Sequence, residues 1–190
     1  MIAVIFVKRS ERFPGKHSAV VNGSGLTEGL ARKLGSLELF DQVIIFSKDP
    51  SFRSGYGGIE RDNSEGTIVN SVFNAVSIFG DIFAFAGDMP AICPDLIRNM
   101  MKAFDGRSLC PVTSDGKLQT LHCIYSSSIL PDFGRYIAEG GRSLHGFVER
   151  NANLINVPPD RSDCFLNINY PADLEKYLSE KSKNPDGNGR

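Results

Sequence analysis

Four cations, Lys8, Arg9, Arg12 and Lys16, fall within nine residues of Lys8-Arg9-Ser10-Glu11-Arg12-Phe13-Pro14-Gly15-Lys16-His17. Arginine grips phosphate bidentately and lysine acts on it as a point charge, so a polyphosphate is the natural occupant of such a loop; Ser10, in their midst, belongs with them. The alternative is a solvated charged face. A lone carboxylate, Asp88, stands in Gly87-Asp88-Met89-Pro90. Hard cations such as Mg²⁺ are held through oxygen by one or two carboxylates, with phosphate oxygens and water completing the shell. The competing role for Asp88 is a cap on the helix that Pro94 and Asp95 start. Asn167 and Asn169 are two apart, so in an extended segment they project to one side and offer neutral oxygens to a Mg²⁺ site begun by a carboxylate.

The elements around these residues place them together. Ile2 to Val7 and Asp81 to Ala86 are apolar runs without polar alternation, as in strands buried on both faces of a parallel sheet. Gln42 to Ser47 is a third. Ligands of open α/β sheets bind outside the carboxyl ends of strands, which is where the basic loop and Asp88 fall. Helices are predicted over Leu26 to Leu37 (capped by Thr27), Thr67 to Phe79, Asp95 to Phe104, Ser128 to Glu139, Leu144 to Arg150 and Pro171 to Leu178. Ser51 to Asn63 reads as a mobile loop or short strand. Ser108 to Val112 and Gln119 to Tyr125 read as strands around an Asp115-Gly116 turn, and Leu154 to Pro158 as an edge strand. Asp62 either faces the site or caps a turn, and Gly66 with the helix amides after it can lie against a nucleoside. His122, inside a strand, reads first as a hydrogen-bonded structural residue. Arg142 either grips an anionic substrate at a helix start or is exposed; both are candidates for an acceptor side.

Alternating β and α elements predict a three-layer α/β/α sandwich with a mostly parallel, Rossmann-like sheet and a small antiparallel excursion around residues 108–125. One domain over 1–180 fits the length, with 181–190 a disordered tail. A net charge of −1 argues against a nucleic-acid binder, and no apolar run reaches membrane-spanning length. Cys93, Cys110, Cys123 and Cys164 form no CxxC pair and read as reduced, buried thiols. No signal peptide is visible, so a cytoplasmic location is expected.

The basic loop, Gly87-Asp88-Met89-Pro90 and Asn167-Ile168-Asn169 with Pro171-Ala172-Asp173-Leu174 together resemble the molybdenum cofactor guanylyltransferase (MobA-like) nucleotidyltransferases, to about Leu178. The resemblance implies the nucleotide-diphospho-sugar transferase fold and transfer of GMP from GTP to a phosphorylated acceptor such as molybdopterin, with pyrophosphate released. It implies that Arg12 and Lys16 cradle the phosphates with Lys8, Arg9 and Ser10, that Asp88 binds Mg²⁺, and that Asn169 and Asn167 close the metal site. Residues 119–125 and the Gly140 to Leu144 turn fall where the family has substrate-side elements. Phe6 to Lys16 departs from the family's L-A-G-G-x-S-x-R-M-G-x-x-K: both first glycines are missing and the Arg-to-Lys interval is shorter. The wording is closer to cytidylyltransferases that activate acidic sugars. CTP with a sugar acceptor is therefore the alternative, as are another guanylyltransferase acting on a phosphorylated cofactor precursor and a non-catalytic nucleotide-binding module. Oligomeric state is left open.

Overall fold

The computed structural model describes residues 1–21 and 23–183. In chain order the strands are β1 (Ile2–Val7), β2 (Val20–Val21), β3 (Ser24–Gly25), β4 (Gln42–Ser47), β5 (Gly58–Arg61), β6 (Ile82–Ala86), β7 (Leu109–Val112), β8 (Ile124–Tyr125) and β9 (Asn153–Asn156). The helices are α1 (Leu26–Ser36), α2 (Ile68–Phe79), α3 (Pro94–Ala103), α4 (Leu130–Ala138), α5 (Leu144–Asn151) and α6 (Pro171–Lys183). Seven strands form one sheet in the order β5-β4-β1-β6-β8-β7-β9, and β2 pairs with β3 in a separate hairpin.

The three uninterrupted apolar runs lie side by side as β4, β1 and β6, in parallel register from Ile2 opposite Gln42 and Ile82. Their side chains alternate between two cores, which is why no polar alternation appears in the sequence. Ala3, Ile5, Ile45, Phe83 and Phe85 pack with α1 and α3, whereas Val4, Phe6, Phe46, Ile82 and Ala84 pack with α2, α4 and α5. The result is the expected three-layer sandwich. A smaller cluster joins Val21, Leu26 and Ile168 to Tyr177 of α6.

The antiparallel excursion falls where predicted: within the seven-stranded sheet β8 runs against its neighbours β6 and β7, and the Asp115-Gly116 turn closes an antiparallel bridge between Val112 and Leu118, while β7 pairs with β9 in parallel. Gln119 to Leu121 turn back through a bond from the His122 amide to the Gln119 carbonyl, so they do not extend the strand. The short-strand reading of 51–63 is realised as β5, parallel to β4. Thr27 does not cap α1. Gly25 occupies the N-cap without a side-chain bond, and the Thr27 hydroxyl is spent elsewhere. Helix α6 runs on to Lys183, and the rest of the expected tail lies outside the described residues.

The cysteine expectation needs a correction. Cys93 and Cys164 form a disulfide with Cα atoms 5.4 Å apart, while Cys110 and Cys123 are free and buried as expected. The bond joins the residue before α3 to the segment leading into Asn167, a pairing that only the tertiary fold brings within reach.

Candidate functional site

The chain leaves β1 for β4 and β5 on one side and returns to β6 on the other, so the carboxyl ends of β1 and β6 flank a topological switch point. A cleft of about 560 Å³ opens there. Lys8, Arg9, Ser10, Arg12, Lys16, Asp62, Gly66, Asp88 and Asn169 all line it.

The basic loop is shaped by short-range bonds. The Ser10 hydroxyl accepts the Phe13 amide at 3.2 Å, and Gly15 adopts a left-handed φ of 74° that turns the chain into the 3₁₀ segment Lys16–Ser18. Lys8, Arg9 and Arg12 stay exposed, whereas Lys16 is buried. Its ammonium reaches the Asp88 carboxylate at 2.5 Å and the Ile168 carbonyl at 3.5 Å. The Arg12 guanidinium lies 6.0 Å from the centre of the Tyr170 ring, within cation–π range.

Asp88 is carried on a turn held against β1. The Gly87 amide donates to the Phe6 carbonyl at 3.0 Å, and a β-carbon at Gly87 would lie 2.9 Å from Val7 Cγ2, so only glycine fits without a shift. The carboxylate does not cap α3, whose N-cap is Cys93. The Asp88 carbonyl accepts the Ile168 amide at 2.9 Å, which docks the Asn169 segment beside it. Asp173 fixes that segment from the other side, its carboxylate accepting the Asn169 and Tyr170 amides at 2.9 Å each.

Asp62 does both things the sequence allowed: its buried carboxylate accepts the Ser64 amide at 3.0 Å and the Asn74 side chain at 3.4 Å through Oδ1, and it lines the cleft with Oδ2 3.9 Å from the Lys48 ammonium. Three expected site residues are not brought together with the rest. The Asn167 amide turns to the Phe165 carbonyl at 3.2 Å and does not line the cleft. Arg142 is exposed and outside the cleft. His122 is fully buried, among the Phe83, Phe85 and Phe165 rings, and neither nitrogen has a hydrogen-bond partner among the described residues. It is neither an acceptor-side group nor the hydrogen-bonded residue expected.

Sequence reasoning missed Lys48 and His17. Lys48 follows β4 as Lys8 follows β1, and that strand-end position was the available signal; its ammonium donates to the Gly66 carbonyl at 3.2 Å and stands 3.9 Å from Asp62. His17 is buried behind Lys16, with Nε2 3.0 Å from the Lys8 carbonyl and Nδ1 3.0 Å from the Thr27 hydroxyl. Burial pushes its imidazole below the usual range, against the opposing pull of Asp88.

The donor set on the cleft suits a hard divalent cation. Asp88 supplies a carboxylate and Asn169 an amide, and the carboxylate already attracts a cation in the form of the Lys16 ammonium. Among the described residues no group of three or more His, Cys, Asp or Glu is gathered as a metal cage. One carboxylate beside a phosphate-binding loop is the arrangement that Mg²⁺ uses when substrate phosphates complete its shell. No helix among the described residues is long and apolar enough to cross a membrane.

The family model for MobA-like NTP transferase domains matches residues 8–154. A "Probable molybdenum cofactor guanylyltransferase" of Thermococcus sibiricus is 28% identical over 188 residues, covering 93% of this chain and 96% of that protein. A 3-deoxy-manno-octulosonate cytidylyltransferase of Pelobacter propionicus is 27% identical over 129 residues, covering 64% of this chain and 51% of that one. In fold, the chain is similar to molybdopterin-guanine dinucleotide biosynthesis protein A from Archaeoglobus fulgidus, with a TM-score of 0.76, 23% identity and coverage of 96% and 100%.

Proposed function

We propose, from the premise that this chain belongs to the MobA-like NTP transferase domain family and is a nucleotidyltransferase, that it transfers GMP from GTP to a phosphorylated acceptor such as molybdopterin and releases pyrophosphate. The reaction is carried by one domain over residues 1–180, in the cytoplasm, with no nucleic-acid or membrane partner. The observation that supports this reading most is the convergence of Lys8, Arg9, Arg12, Lys16, Asp88 and Asn169 on one cleft at the switch point of the sheet.

Phosphoryl transfer needs little covalent help from protein; alignment and charge neutralisation carry most of the catalysis. Lys8, Arg9 and Arg12 draw the triphosphate onto the loop, with the Ser10 turn shaping it. Lys16 gives up Asp88 and neutralises charge developing on the bridging and leaving phosphate oxygens. Asp88 with Asn169 would hold Mg²⁺, which would supply Lewis-acid charge neutralisation when bound. Gly66 and its helix lie along the nucleoside, where Asp62 acts as wall.

A second reading keeps the site and changes the substrates: the Arg12-Phe13-Pro14-Gly15-Lys16 wording and the Pelobacter relative favour CTP and an acidic sugar. The deciding experiment offers GTP, CTP, ATP and UTP with Mg²⁺, each with molybdopterin or an acidic sugar, and follows pyrophosphate release. Turnover with GTP and molybdopterin is expected, and Lys16→Ala is expected to lower it ~10²–10³-fold, as for loss of one preorganised charge-stabilising donor. Turnover with CTP alone replaces the guanylyl reading by the cytidylyl one. Nucleotide binding without release in any combination leaves a non-catalytic module.

A further inference from the structure

We infer that His17 is a positioning residue, which with Thr27 holds the phosphate loop at a fixed distance from the Gly87–Asp88 turn while the Lys16–Asp88 pair is open; this rests on the nucleotidyltransferase reading. Four groups form one continuous chain of contacts. The Lys8 carbonyl lies 3.0 Å from His17 Nε2, His17 Nδ1 lies 3.0 Å from Thr27 Oγ1, and the Thr27 hydroxyl donates to the Gly87 carbonyl at 2.7 Å. Both end carbonyls only accept, and the Thr27 hydroxyl spends its one proton on Gly87, so the ring proton that ties loop to turn sits on Nδ1 and is donated to Thr27 Oγ1; a neutral ring has none left for the Lys8 carbonyl, which is a packing contact. The chain starts where the loop leaves β1, crosses the loop's far end and the first turn of α1, and ends where β6 gives way to Asp88. Thr27 is fully buried and His17 nearly so, its ring edge-on to Phe52 at 6.3 Å.

Two links connect loop and turn, and they differ in what a ligand does to them. The Lys16–Asp88 pair uses the very groups that phosphate and cation need, so loading the site must break it. The His17–Thr27 link uses a ring N–H, a buried hydroxyl and the Gly87 carbonyl, none of which phosphate or a cation has reason to take. It therefore survives loading and keeps the loop from drifting when the ion pair opens.

Thr27→Val removes the hydroxyl at constant shape, Thr27→Ser keeps it, and His17→Leu removes both ring contacts. Steady-state release of pyrophosphate is measured with Mg²⁺ and the nucleotide the wild-type protein uses, at a temperature where circular dichroism shows each variant folded. Thr27→Val and His17→Leu are expected to raise the nucleotide KM about tenfold, the scale of one buried hydrogen bond. Partial unfolding would lower kcat and leave KM alone. Thr27→Ser restores KM to within about threefold, and the double variant Thr27→Val with His17→Leu is no worse than its weaker parent, because both break one chain. Unchanged KM in Thr27→Val, equal losses for Ser and Val, or additive losses would each overturn the positioning role while wild-type turnover stands. A wild-type protein that releases no pyrophosphate with any of the four nucleotides overturns the nucleotidyl reading, and this role with it.

Discussion

Among the described residues the His122 ring nitrogens have no hydrogen-bond partner, and three phenylalanine rings enclose the side chain at centroid distances of 5.1 to 5.5 Å. Burial alone lowers its pKa from 6.5 to about 3. The unfolded chain therefore binds a proton between those values that the folded chain refuses. Stability is intact above pH 6.5 and is lost as pH falls from 6.5 toward 3, by up to about 1.4 kcal/mol per pH unit. His122→Leu is expected to remove that loss. Urea unfolding at pH 7.5 and pH 5 should show the wild-type stability falling more than the variant's by about 2 kcal/mol, and equal falls would exclude a neutral, caged histidine. The sequence reveals that His122 sits among apolar residues, but not that its two nitrogens go unpaired, because partners are a property of the packed core. The positions of Lys16 and Asp88 on the cleft were legible for the opposite reason: both stand in segments that leave doubly buried strands, which the apolar runs mark directly.

At the level of elements, the segments that frame the cleft are fastened to one another as well as to the sheet. Ile168 bonds the Asp88 carbonyl, and the Cys93–Cys164 disulfide ties the start of α3 to the segment that delivers Asn169. Strand and helix positions were readable from hydrophobic period and from Pro and Gly punctuation. The disulfide was not, since a separation of 71 residues leaves no local trace. The strand predicted over Gln119 to Tyr125 shrank to two residues because alternation marks half-burial and does not guarantee a ladder partner. Closing a loop of 71 residues removes unfolded-state entropy worth roughly 4 kcal/mol at room temperature in the chain-entropy account. Reduction with dithiothreitol should therefore lower the melting temperature by about 10 °C for a chain of this size. Alkylation under denaturing conditions without reductant should label only Cys110 and Cys123; labelling at all four positions would refute the bond.

On the scale of the whole molecule, the net charge of −1 conceals a local excess of cations around the cleft, where Lys8, Arg9, Arg12, Lys16 and Lys48 gather. The field that attracts a polyphosphate is thus a property of the fold: β4 and β1 end side by side, so the cations that follow them pool their charge. Strand order is what the sequence leaves unstated, and it is also what converts separate basic residues into one site. A triphosphate bound there would contact both ends of the described chain, through the loop after β1 and the segment before α6, and the turn after β6 between them. Its binding energy therefore opposes unfolding of the whole sheet. At a hundredfold excess over Kd, Mg²⁺ and nucleotide together should add about 2.7 kcal/mol to stability, raising the melting temperature by roughly 5–10 °C. With no tryptophan in the chain, calorimetry or circular dichroism is the direct readout. The exposed loop cations are screened by salt, so the shift should shrink between 50 mM and 500 mM NaCl. Lys16→Ala should lose most of the shift, whereas Arg107→Ala, at an exposed position before β7 that does not line the cleft, should keep it. A shift that ignores both salt and Lys16 would place the nucleotide somewhere other than this cleft.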